Sequence, residues 1–177
     1  MSGSLIKLDE VTVSGATATV SLGQSNWDSS YNVYRVFYND LRTDSVSPNT
    51  VAVRFTKASD NSADSSTSYM YAGNTIKSYS ATSFDVNNSI DRFYLSTLDT
   101  GDETQDNGLL TLFQFNDASE ISQCTIQYTS RNTRPGLAGF TGSAMLNVNQ
   151  ATNGIQFFMN ATGNIDSGHF VLYGLKK

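Results

Sequence analysis

The chain of 177 residues has little of the material that forms cross-links, metal centres and catalytic triads. Its one cysteine, Cys124, excludes an intrachain disulfide and a cysteine metal cluster. Its one histidine, His169, excludes a multi-histidine zinc site and leaves few ways to build a Ser-His-Asp triad. The chain also has one tryptophan, Trp27, whereas glycoside hydrolases carry several to stack sugar rings. We therefore expect neither an enzyme nor a cofactor.

Charge is scarce as well. Charged residues make up 15% of the chain, with 11 Lys and Arg against 16 Asp and Glu, which gives a net charge of −5. Such a chain lacks the basic stripe of a nucleic-acid-binding protein. It is poor in the Ala, Glu, Lys and Leu that coiled coils and helical bundles need, while its 10 Phe and 9 Tyr exclude a disordered tail.

Long apolar runs are missing too. No window is apolar over the length that a membrane-spanning helix needs, so we expect no membrane insertion. The first ten residues have neither an apolar run nor a cleavage-site pattern, so we expect no signal peptide and synthesis in the cytosol.

The sequence does contain segments in which apolar and polar residues alternate with a period of two. The segment Ala16–Leu22 alternates apolar and hydroxyl residues, which predicts a strand with Ala16, Ala18, Val20 and Leu22 on one face. Serine, threonine and asparagine together make up about a third of the chain, which is typical of a protein with a polar surface and many turns.

A second segment predicts a strand in the middle of a sheet. Between positions 109 and 115, Leu109, Phe113 and Phe115 share one face, and Leu110 and Leu112 share the other. Because both faces are apolar, we expect both to be covered, and we expect Phe113 and Phe115 to be core residues.

The remaining strands follow from runs of Val, Ile, Thr, Tyr and Phe that are bounded by Gly, Asn, Asp and Ser. About ten short strands in one domain, spanning residues 1–177, predict an all-β fold: an antiparallel β-sandwich of the jelly-roll type. The predicted strands are Ile6–Val13, Tyr31–Asn39, Val51–Thr56, Tyr69–Tyr71, Ile90–Ser96, Cys124–Thr129, Ala144–Val148, Ile155–Met159 and Phe170–Leu175.

Four polar loops separate these strands: Lys57–Ser68, Asp99–Gly108, Arg131–Ser143 and Asn160–Gly168. The acidic loop contains four carboxylates between Asp99 and Asp106, and oxygen ligands of this kind bind calcium. Its spacing does not match an EF-hand, so a calcium site and an ordinary solvated turn both remain open.

Two tyrosines and two arginines are the candidate contact residues. Tyr69 and Tyr71 stand beside the polar loop that ends at Ser68, and tyrosine is common both at recognition surfaces and in half-buried sheets. Arg131 and Arg134 lie in the glycine-rich loop, where they could bind an anionic sugar or a neighbouring subunit. For the tyrosines we favour a place in the core or in a subunit interface over a ligand platform.

Two stretches resemble a module of structural proteins of tailed bacteriophages. The first is WDSSYNVYRVFYNDL at 27–41, followed by a strand with an internal arginine, VAVRFT at 51–56. The second is GNIDSGHFVLYGLK at 163–176, where a Ser-Gly pair enters a last strand that ends in Leu-Tyr-Gly. The strand pair before residue 27 fits the same layout, whereas residues 59–107 are not distinctive.

The resemblance implies a non-enzymatic structural protein of a virion that is assembled in the host cytoplasm. Such modules are jelly rolls that form homotrimers on tail fibres, tail tips and capsid surfaces. This leads us to expect other virion proteins as partners, and a receptor-binding role on the tail, towards a host surface glycan or protein. The alternative is a capsid decoration protein that binds only other virion proteins.

Overall fold

The computed structural model describes residues 4–45, 47–80, 82–98, 104–132 and 136–176. The described residues form twelve antiparallel strands and one short 3₁₀ turn at Gln24–Asn26. None of the described residues belongs to a helix long and apolar enough to cross a bilayer. The strands are β1 (Ser4–Val13), β2 (Thr19–Gly23), β3 (Val33–Thr43), β4 (Asn49–Lys57), β5 (Tyr69–Lys77), β6 (Ser83–Ile90), β7 (Phe93–Leu98), β8 (Gln105–Phe113), β9 (Ile121–Asn132), β10 (Gly136–Asn149), β11 (Thr152–Met159) and β12 (Ile165–Lys176).

The strands form two sheets that face each other in a sandwich. The large sheet has the order β1-β12-β3-β8-β9-β10-β5-β6, and the small sheet has the order β2-β11-β4-β7. Eight strands have the connectivity of a jelly roll: β1, β3, β8 and β12 lie in the large sheet and β2, β4, β7 and β11 in the small one. Along the chain these strands alternate between the sheets, except that β4 and β7 pair with each other within the small sheet. The predicted fold class is therefore confirmed.

Two hairpins widen the large sheet beyond this jelly roll. The hairpin β5–β6 lies between β4 and β7 in the chain, and the hairpin β9–β10 lies between β8 and β11. Both join the large sheet on the far side of β8, because β9 pairs with β8 and β10 pairs with β5. The large sheet is consequently twice as wide, in number of strands, as the small one.

The core lies between the sheets and is rich in aromatic rings. Burying large side chains of this kind is the main stabilising contribution to such a fold. Aromatic pairs connect the two layers: Tyr38 of β3 packs on Phe157 of β11, and Phe55 of β4 packs on Tyr69 of β5. The largest fully buried side chains are Tyr34, Tyr38, Tyr69, Phe55, Phe93, Phe157, Phe170, Leu22, Leu41, Leu110 and Leu112.

Several predicted boundaries are corrected by the structure. β6 was not predicted, and the first half of β10, from Gly136 to Ser143, is a strand where the sequence predicts a loop. Ala16 and Ala18 are exposed, because the strand begins only at Thr19 and the chain before it lies outside the ladder.

The central segment is in the predicted place but differs at its end. β8 lies in the interior of the large sheet, and its residues Leu110 and Leu112 point into the core. Phe113 points outward and is half-buried, so its predicted core role is wrong. Phe115 is buried, because Gln114 has a φ of 59° in the left-handed region. This backbone conformation interrupts the alternation and turns the next side chain inward.

Candidate functional site: an aromatic cleft

A concave site lies where the large sheet extends beyond the small one. β7 is the edge strand of the small sheet and packs against β9 and β5. Past this edge, the inner side of the added hairpins borders a cleft with a volume of about 450 Å³. The residues that line this aromatic cleft are Thr50, Tyr71, Thr75, Lys77, Tyr79, Ser83, Asp85, Tyr94, Leu95, Tyr128, Ser130, Ala138 and Phe140.

Five aromatic rings line the cleft, and four of them form two pairs. Tyr128 of β9 and Phe140 of β10 are directly opposite each other in the ladder, and their rings stack in parallel with centroids 5.1 Å apart. Tyr71 of β5 meets Tyr94 of β7 edge-to-face at 5.8 Å. The second pair joins the two sheets, so it fixes the width of the cleft at one end.

Two glycines make room for the Phe140 ring. Gly73 of β5 and Gly142 of β10 face each other across the strands, and the ring lies over both. A Cβ atom at Gly73 would stand 2.1 Å from Cζ of Phe140, and one at Gly142 would stand 2.5 Å from the same atom. Any larger residue at either position would displace the ring from its place in the cleft.

Polar groups stand beside the rings on β5 and β6. Thr75 donates a hydrogen bond from Oγ1 to Oδ2 of Asp85 at 2.9 Å, which orients this carboxylate. The side-chain amide of Asn87 donates to the hydroxyl of Tyr71 at 2.8 Å. Lys77 adds a positive charge at the same wall. The cleft thus combines ring faces with donors and acceptors, as small-molecule sites commonly do.

Burial keeps the phenols of the cleft protonated. Desolvation raises the pKa of Tyr71 and raises the pKa of Tyr128 still more clearly, and the negative charge of Asp106 acts on Tyr128 in the same direction. Both hydroxyls are therefore neutral at physiological pH, where a neutral phenol can donate as well as accept a hydrogen bond.

The four predicted contact residues have different positions. Tyr71 lines the aromatic cleft, whereas Tyr69 is fully buried and its hydroxyl is used inside the core, so a ligand contact at Tyr69 is ruled out in the isolated chain. Arg131 is exposed at the end of β9, on the opposite face of the sheet from the cleft. Arg134 lies outside the described residues.

The segment that resembles the phage module has a structural role at its start. The indole of Trp27 packs on the ring of Tyr34 at 3.9 Å and donates from Nε1 to the side-chain oxygen of Asn116. The Tyr34 hydroxyl donates to the backbone carbonyl of Asp28 at 2.7 Å and accepts from Nδ2 of Asn116 at 2.7 Å. These contacts fix the turn that leads into β3.

The histidine, the cysteine and the described part of the acidic loop make contacts within the fold and do not line the aromatic cleft. His169 lies 2.7 Å from Glu10 on the neighbouring strand, and Cys124 is buried, which raises the pKa of its thiol to about 12. Asp106 is buried on β8, 3.4 Å from the Tyr38 hydroxyl, while positions 99–103 of the acidic loop lie outside the described residues. Among the described residues, no group of three or more His, Cys, Asp or Glu side chains is placed to hold a metal ion.

Sequence reasoning missed most of the cleft. Tyr128, Phe140 and Asp85 are far apart in the chain and come together only because the two added hairpins pair with each other. A signal was nevertheless present in the glycines at 73 and 142, because a glycine inside a strand often marks a place where another group approaches closely.

Comparison with family models, with curated proteins and with solved structures gives no significant match. The function is therefore inferred from the geometry of the aromatic cleft and from the resemblance of residues 27–41 and 163–176 to the phage module.

Proposed function

We propose that the protein is a non-enzymatic structural protein of a tailed-phage virion, a tail-associated module that binds a host surface glycan in the aromatic cleft. The observation that carries the binding role is the cleft itself, in which the rings of Tyr94, Tyr128 and Phe140 stand beside Asp85 and Lys77. Its residues come from both sheets, so the scaffold holds the site before any ligand arrives.

A saccharide fits this chemistry. The C–H faces of a sugar ring are apolar and pack on aromatic rings, while its hydroxyls both donate and accept hydrogen bonds. The carboxylate of Asp85 accepts from such hydroxyls, and Lys77 and neutral phenols such as Tyr71 donate to them. A volume of about 450 Å³ lies within the usual range of small-ligand sites.

The virion role is supported by the resemblance at 27–41 and 163–176 together with the jelly-roll connectivity. The proposal includes assembly in the host cytoplasm as a homotrimer, with other virion proteins as neighbours. A core whose one cysteine is buried and unpaired suits folding in a reducing compartment.

Glycan binding is tested by screening the purified protein on an array of bacterial surface saccharides, followed by calorimetric titration of the strongest ligand. Tyr79→Ala and Asp85→Asn change cleft residues, and Tyr173→Ala changes a tyrosine on β12 away from the cleft. We expect each cleft variant to bind about tenfold more weakly or worse, and the control to bind as the wild type does. Equal affinity in all four proteins would contradict a site in the cleft.

Immunogold labelling of purified phage particles, with antibody against this chain, tests the place in the virion. Gold on tail fibres or the tail tip is the expected result. Gold over the head would support the alternative, a capsid decoration protein that binds only other virion proteins. No label on any particle would contradict both virion roles.

A further inference from the structure

The outer side of the added strands carries almost no charge. Successive residues of a strand point to opposite faces, so alternate positions of β9, namely Gln123, Thr125, Gln127 and Thr129, are exposed on this side. The charged residue on the outer side of β9 is Arg131, at the end of the strand.

The neighbouring strands continue this uncharged face with apolar side chains. On the edge strand β6, Phe84 and Val86 are 78% and 71% exposed, and on β5 and β10 Ile76 and Leu137 are 61% and 58% exposed. Between β8 and β6 the same face contains a shallow hollow of about 330 Å³ that Met145 lines with other apolar side chains. We define the uncharged face as the outward side of β8, β9, β10, β5 and β6.

The edge strand of the large sheet, β6, has neither lysine nor proline and carries a single charge. Natural edge strands avoid association through lysines, prolines, bulges or charged side chains. β6 has the sequence SFDVNNSI, and its single charged residue, Asp85, turns towards the cleft and accepts from Thr75. The opposite edge, β1, differs because it carries Lys7 and Glu10. Both edge strands have one irregularity in their pairing, and that of β6 lies near its end, opposite Tyr69 and Tyr71.

We propose that, within the homotrimer on which this inference rests, a neighbouring copy of this chain covers the uncharged face and the β6 edge. Two copies that each carry a net charge of −5 repel each other wherever charged surfaces meet, so an uncharged face is where they can approach. The centre of interfaces between identical subunits is likewise depleted in charge. A foreign partner would need charged groups to select its register, and this face offers few.

The dimensions of the face match such a contact. The five strands have between 8 and 14 residues, which corresponds to a mean length of about 34 Å, and their spacing gives a width of about 19 Å. The resulting area of roughly 650 Å² is of the same order as the ~800 Å² that each partner contributes to a stable interface.

The test is the mass of the protein in solution, measured by light scattering and by sedimentation at micromolar concentrations. We expect the wild type to exceed the monomer mass of 19.2 kDa. Val86→Lys and Thr141→Lys place a charge on the uncharged face at exposed positions, so each should fold and raise the dissociation constant about 30-fold or more.

Thr19→Lys is the matched control, because it adds the same charge at an exposed position of β2 in the small sheet. It should assemble as the wild type does, and amide exchange in β6 should slow with concentration in both proteins. A monomeric wild type would overturn both this proposal and the homotrimer. Assembly that is unchanged in both Val86→Lys and Thr141→Lys would overturn only the proposed contact surface. Because glycan binding is measured separately, either result leaves the cleft proposal standing or falling on its own test.

Discussion

The backbone N–H of Phe55 donates a hydrogen bond to the hydroxyl of Tyr69 at 2.8 Å, across the gap between the two sheets. The same hydroxyl donates to the backbone carbonyl of Asp64 at 3.2 Å, so it satisfies two buried backbone groups at once. A backbone group without a partner in the core is costly, and this tyrosine prevents that cost at the end of the β4–β7 pairing.

Removing this hydroxyl should destabilise the fold without affecting the cleft. Tyr69→Phe leaves the Phe55 N–H unpaired, so we expect the free energy of unfolding to fall by about 1–3 kcal/mol in urea titrations. Tyr71→Phe removes a hydroxyl that meets the Asn87 amide nearer the surface, and it is the matched control. A loss at Tyr69 no larger than the loss at Tyr71 would contradict the role assigned to the core hydroxyl.

Phe115 and Phe113 should differ sharply when each is replaced by alanine. The Phe115 ring packs on Phe55 at 4.9 Å and on Trp27 at 5.4 Å, and it is almost fully buried. We expect Phe115→Ala to cost about 3–5 kcal/mol of unfolding free energy, and Phe113→Ala to cost less than half of that. Equal costs in equilibrium unfolding would show that the chain does not turn at Gln114 as described.

A methyl group at Gly73 should disturb the cleft directly. Gly73→Ala forces the Phe140 ring to move, because its Cβ would lie far inside contact distance, and overpacking of this kind costs about 1–3 kcal/mol. Thermal unfolding measures that loss, and titration with the glycan found for the wild type measures the binding. Gly15→Ala is the control, since nothing lies within 4 Å of a Cβ there. Wild-type stability in Gly73→Ala would contradict the close approach.

Asp91 should make the free energy of unfolding depend on pH at values below the usual aspartate pKa of 3.8. Arg92, and then Arg54, hydrogen-bond its carboxylate and hold its pKa below the usual value of 3.8. A lowered pKa stabilises the fold above the unfolded value, and the contribution disappears as the pH falls through the folded value. We therefore expect Asp91→Asn to lower the melting temperature at pH 7 and to make little difference in strong acid.

Glu120→Gln, which removes a charge at an exposed turn, is the control for Asp91→Asn. A melting-temperature difference between wild type and Asp91→Asn that is the same at pH 7 and in strong acid would contradict the role of the two arginines.

The sequence predicts the buried strands of this fold better than the exposed ones. The largely buried strands β4 and β11 were predicted, because they are runs rich in Val, Ile, Thr and Phe that are bounded by turn-forming residues. β6 was missed, because its outward Phe84 and Val86 alternate with polar residues in a short, exposed segment rich in turn formers. Gly136–Ser143 was predicted as a loop for its glycines, which in fact accommodate the rings of Phe140 and Tyr79.

The candidate site was harder to predict than the fold. Tyr71 was predicted as a contact residue because it is a tyrosine beside a polar loop, and it does line the cleft. The same reasoning also predicted Tyr69, whose ring instead points between the sheets and packs on Phe55. Neither local pattern nor composition specifies that two hairpins, separated by β7 and β8 in the chain, pair with each other through β10 and β5.

The added hairpins place the aromatic cleft and the uncharged face on the two sides of one layer of backbone. Along β10, Phe140 faces the cleft and Thr141 faces outward, so the two surfaces are separated by a single peptide unit. A change in the pairing of β10 with β5 would move both surfaces together. We therefore expect a ligand in the cleft to alter how a neighbour fits on the uncharged face.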